Sequence, residues 1–105
     1  HYASLLPGGV DGVQLLDDAS VALVTTPSFP KVEGQNFGLG YILEKDNLPS
    51  GNVYPTFGHD GHGGSQGYAD KSCKLAVGMT HNLFSPDHQG GLIMATLRES
   101  LGLPT

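Results

Sequence analysis

Residues 57–70 run Phe57-Gly58-His59-Asp60-Gly61-His62-Gly63-Gly64-Ser65-Gln66-Gly67-Tyr68-Ala69-Asp70, with five glycines in fourteen positions. In a strand, glycine lets another backbone or a ligand come close. The segment therefore reads as two strands, 54–61 and 66–70, turned at Gly63-Gly64. A two-residue period places Phe57, His59 and Gly61 on one face of the first strand.

The remaining strands surround this hairpin. Phe37, Leu39, Tyr41 and Leu43 alternate with Gly38, Gly40 and Ile42, which predicts one strand over 37–43. A polar turn at Asp70-Lys71-Ser72-Cys73 leads into a strand with Leu75, Val77, Met79 and His81 on one face. Helices are expected on either side. The opening Tyr2-Ala3-Ser4-Leu5-Leu6 reads as a helix end stopped by Pro7-Gly8-Gly9. Asp11-Gly12 is a turn signal. Asp17 is an N-cap candidate, with Leu16 and Val21 spaced as a hydrophobic staple. Pro27 ends that helix. Ser85-Pro86 opens a last helix, striped by Ile93, Leu97 and Leu101 and closed by Gly102. Helices, antiparallel strands and a closing helix make an α+β fold.

A chain of 105 residues holds one domain at most, or part of a larger one. Five Lys and Arg against ten Asp and Glu leave no basic patch for phosphate neutralisation, so a nucleic-acid partner is not expected. No apolar run approaches the roughly 18 residues of a membrane span. The single Cys73 permits neither an intrachain disulfide nor a multi-cysteine metal site. The chain starts at His1 without a basic-then-apolar leader, which leaves the compartment open.

The glycine-rich segment admits several kinds of chemistry. A phosphate loop needs its glycines between a strand and a helix N-terminus, with a lysine in the Walker form; here a strand follows and there is no lysine. His59, Asp60 and His62 could ligate a metal, with His81 facing them. His59 and Asp60 leave opposite faces of a regular strand, however, and the spacing is not that of a zinc site. A structural hairpin with incidental histidines is the third reading.

Taken in order, these residues resemble the third active-site motif of class C β-lactamase-like serine hydrolases. That superfamily includes penicillin-binding proteins, family VIII carboxylesterases and D-aminopeptidases. Tyr2 to Leu6, Gly8-Gly9, Asp11 to Leu16, Thr25-Thr26-Pro27, Phe37 to Tyr41 and Leu75 to Asn82 are similar to the segments that flank the motif. The resemblance implies that residues 1–105 are the C-terminal segment of a single β-lactamase-related domain. Its nucleophile, carried in the family by Ser-x-x-Lys on a helix near the N-terminus, would then lie upstream. None of Tyr2, Tyr41, Tyr54 and Tyr68 takes the place of the family's central tyrosine.

The resemblance also implies roles. His59-Asp60-Gly61 stands where the β-lactamases have Lys-Thr-Gly, a His-x-Gly form similar to superfamily members that act on esters or peptides. His59 and Gly61 would be catalytic-strand residues, and the backbone N–H of His62 would supply half of an oxyanion hole. Asp60, Gly63 and Gly64 would border the substrate. A lysine gives a permanent cation for a substrate carboxylate, whereas an imidazole gives one donor and one acceptor. The expected partners are a small ester or amide and the N-terminal part of the same domain, with no cofactor and no metal. This chain alone would not turn over. The alternatives are a non-catalytic binding or scaffold protein on a degenerate hydrolase fold, or a His/Asp metal hairpin.

Overall fold

A computed structural model describes residues 1–28, 36–44, 55–82 and 89–104. A short 3₁₀ helix, Tyr2–Leu5, comes first, followed by α1 (Asp18–Val24). Five strands follow: β1 (Asn36–Phe37), β2 (Ile42–Glu44), β3 (Thr56–Asp60), β4 (Gln66–Asp70) and β5 (Leu75–Met79). The chain ends on α2 (Gln89–Ser100). The strands form one antiparallel meander in sequence order. The fold is α+β, as the element order predicts.

Register explains where the core lies. Leu43 pairs with Phe57, Phe57 with Ala69, and Ala69 with Ala76, so one row of side chains crosses four strands on one face. Leu5, Leu6 and Val21 close over this row, and Tyr2, Leu16, Tyr41 and Ala76 pack at its margin. Phe57 is fully buried, a burial worth about 1.5–3 kcal/mol.

Local chemistry fixes the helices on that face. Asp17 caps α1 by accepting from the Ser20 N–H at 2.7 Å. Bonds from the Ser20 side chain and from this N–H hold the Asp17 carboxyl below its ordinary pKa. At the other end, Thr25 Oγ1 donates to the Val21 carbonyl and accepts from Lys71 Nζ at 2.8 Å. A cation at a helix C-terminus suits the helix dipole. Burial pushes the Lys71 ammonium pKa down.

Three predicted elements differ in form. The predicted strand over 37–43 is a hairpin, because Gly40 adopts φ +87° and Gly38 donates to the Tyr41 carbonyl at 2.9 Å. Leu39 is half-exposed at its tip, and its N–H reaches the Val24 carbonyl. The opening segment is a single 3₁₀ turn, with the Ser4 N–H and hydroxyl both donating to the His1 carbonyl. The strand beginning at Leu75 ends at Met79, with Ala76, not Leu75 or Val77, facing the core. Asp11 and Gly12 do turn the chain, both at positive φ, with Val10 and Val13 exchanging both backbone bonds.

Ser85 and Pro86, read as the start of the last helix, lie outside the described residues. At its C-terminus Gly102 has φ +68°, and the bonds Gly102 N–H to Glu99 and Leu103 N–H to Arg98 close a Schellman motif. Arg98 ties α2 to the sheet through a 2.8 Å ion pair with Asp70. Burial raises the Asp70 carboxyl pKa, but bonds from Ser72 and Arg98, with the Arg98 charge, outweigh it and hold the carboxyl below its usual range. Among the described residues no helix is long and apolar enough to cross a membrane.

Candidate active site

The candidate residues occupy the end of β3 and the turn that follows. His59 is opposite Gly67 and Asp60 opposite Gln66. His59 shares the Phe57 face and is exposed. Its Nδ1 lies 2.6 Å from the Asp60 carbonyl oxygen. A carbonyl only accepts, so Nδ1 carries the hydrogen and Nε2 is the acceptor of the neutral ring. Phe37 lies beside the imidazole, ring centroids 6.4 Å apart.

Gly67 has no Cβ, and a Cβ placed there would meet the Tyr2 ring at 2.5 Å. The Tyr2 ring thus lies over Gly67, the residue paired with His59, in edge contact with Tyr41. His1 Nε2 is 3.1 Å from the Tyr41 hydroxyl. Partial burial raises the Tyr2 and Tyr41 phenol pKa values, with Tyr41 adding to the rise at Tyr2. Phe37 is thus the ring beside His59, while Tyr2 covers Gly67, its cross-strand partner.

Asp60 leaves the opposite face. The Tyr68 hydroxyl donates to Asp60 Oδ1 at 3.0 Å. The Gly61 N–H donates to the Ser65 carbonyl at 2.6 Å, and the Gly61 carbonyl accepts from Gly64. His62 and Gly63 form the tip of the turn, with Gly63 at φ +94° and Gly64 at φ +109°. A Cβ on Gly64 would come within 2.5 Å of His81 Nε2, which places His81 against this turn.

Pairing with β2 reaches only Thr56, Phe57 and Gly58 of β3. Because Gly61 points its N–H toward β4, alternation turns the Asp60 backbone toward the other edge. That edge extends beyond the end of β2. The opposite faces of His59 and Asp60 keep their side chains from converging. Among the described residues no three His, Cys, Asp or Glu side chains gather closely enough to hold a metal ion.

The chain is similar to the Esterase/beta-lactamase LipL of Mycobacterium tuberculosis (strain ATCC 25618 / H37Rv), with 37% identity over 101 residues. That similarity points to the broader esterase/β-lactamase superfamily. It covers 85% of this chain and 23% of the relative, so the chain spans about a quarter of that protein's length. No protein-family model matches the chain.

The letters Ser-x-x-Lys do occur once, at Ser28-Phe29-Pro30-Lys31. Ser28 lies past the end of α1, and its N–H donates to the Phe37 carbonyl beside β1. It is not on a helix, and Phe29 to Lys31 lie outside the described residues. Composition and period did not point to Phe37 and Tyr68 as neighbours of the site, whereas His81, expected to face it, does lie against the turn. Pairing His59 with Gly67 sets Asp60 diagonal to Tyr68, and only that register exposes the contact.

Proposed function

We propose that this chain is the C-terminal segment of a serine hydrolase of the esterase/β-lactamase kind, acting by acyl transfer on an ester or amide. The observation that carries the reading is the exposed His59 at the open end of β3, its Nδ1–H fixed on the Asp60 carbonyl. The similarity to LipL and the α+β fold support the same class. In this reading Nε2 of His59 accepts a hydrogen bond from the catalytic tyrosine or from the polar end of the substrate. The scissile bond lies along Gly61, where a side chain would press on Ser65. The His62 N–H gives one oxyanion donor, and the nucleophile's own N–H gives the other. Gly63 and Gly64 let the turn bend away from the substrate, and Asp60 borders it.

The nucleophile and its base come from the N-terminal part of the domain. β5 pairs only with β4 among the described residues, so its free edge is where further strands of the domain would add. Leu92, Ile93 and Leu101 on and after α2 are also more than half exposed. The isolated chain is expected to self-associate, and a monomeric, cooperatively melting species by sedimentation and calorimetry would contradict this. The reading itself is tested by ester hydrolysis in the full-length protein with and without EDTA. Turnover that survives EDTA supports it; loss with EDTA and return with zinc overturns it in favour of a metal site.

A further inference from the structure

We infer that the site selects neutral or cationic substrates and discriminates against those with a carboxylate beside the scissile bond; this rests on the hydrolase reading above. The reason is the distribution of charge along the sheet. Asp60 places an exposed carboxylate next to His59 and Gly61, and the Tyr68 hydroxyl holds it there at 3.0 Å. The described basic side chains are Lys71, Lys74 and Arg98. Lys71 and Lys74 belong to the turn between β4 and β5, at the opposite end of β4 from the Gly61–Ser65 turn. Lys71 is spent on Thr25, and Arg98 on Asp70 at that same far end.

Among the described residues the near end thus carries the Asp60 carboxylate together with His59, His62 and His81. Neutral imidazoles offer no permanent cation to a substrate carboxylate. An anion bound along the strand edge would sit within a few ångströms of Asp60, where repulsion is only partly screened by physiological salt. A neutral acyl group escapes this, and an ammonium group is attracted.

The test uses the full-length protein and two 4-nitrophenyl esters of the same acyl length, one of monomethyl glutarate and one of glutarate. The expected result is a kcat/KM about tenfold higher for the neutral ester, with the ratio falling as sodium chloride is raised. Asp60→Asn keeps an acceptor for the Tyr68 hydroxyl while removing the charge, and should bring the ratio several-fold closer to one. Equal rates in the native protein, or a ratio unmoved by both salt and Asp60→Asn, overturn the inference while leaving the hydrolase reading in place. Failure to hydrolyse either ester overturns both.

Discussion

His59 donates its Nδ1 hydrogen to the carbonyl oxygen of Asp60, its neighbour in the chain, at 2.6 Å. The bond assigns the hydrogen to Nδ1, which leaves Nε2 as the acceptor of a neutral ring. His59→Ala in the full-length protein should therefore lower ester hydrolysis by roughly 10- to 1000-fold, the cost of one positioned polar group. Because the side chain is exposed, the melting temperature should stay where it was. Parallel loss of activity and stability, read by calorimetry beside the assay, would make His59 a structural residue instead.

Gly58 and Gly78 both lie in strands, yet they should respond oppositely to alanine. A Cβ at Gly58 would collide with the Gly67 carbonyl and the Tyr68 ring, whereas one at Gly78 meets nothing within 4 Å. Gly58→Ala is expected to cost about 1–3 kcal/mol, the usual price of overpacking. Gly78→Ala should be neutral or stabilising by a few tenths of a kcal/mol, up to about 1 kcal/mol, through lost unfolded-state entropy. Denaturant titration of the two variants checks the contrast.

The paired strands β3 and β4 were legible because their turn chemistry and two-residue period agree. The cap at Asp17 was legible because a single side chain makes it. The hairpin at 38–41 was hidden because Phe37, Leu39, Tyr41 and Leu43 keep a strand-like alternation through a turn. What breaks that strand is tertiary: the Leu39 N–H reaches the Val24 carbonyl, and Gly38 packs so close to Val24 that no side chain fits. The segment 57–70 pointed to the site, but its surroundings depend on register. Tyr68 meets Asp60 only in the register that pairs β3 with β4, and Tyr2 covers Gly67 only once the opening 3₁₀ turn packs on the sheet.

Asp70 is the group whose protonation should register in stability. Its pKa lies below the ordinary value, so the folded form gains stability wherever the carboxylate is ionised in both states. That gain is fully present above the ordinary carboxylate pKa of about 3.9 and is lost as pH falls through the lower folded value. Asp70→Asn should destabilise the full-length protein by about 1–3 kcal/mol at neutral pH, by removing charged bonds to Arg98 and Ser72. The gap between variant and native protein should close only below about pH 4. Melting curves from pH 7 down to pH 2 measure it, and a gap independent of pH would rule out the ionised pair as its source.

The central claim is that a serine supplied by the rest of the domain is acylated while His59 and the turn after it position the substrate. The most direct measurement treats the full-length protein with a fluorophosphonate and locates the adduct by mass spectrometry of the digest, in the native protein and in Ser28→Ala. The predicted result is one stoichiometric adduct on a serine outside residues 1–105, with hydrolysis abolished and labelling of Ser28→Ala undiminished. Ester hydrolysis that persists with no adduct formed, or an adduct on Ser28 itself, would contradict the account.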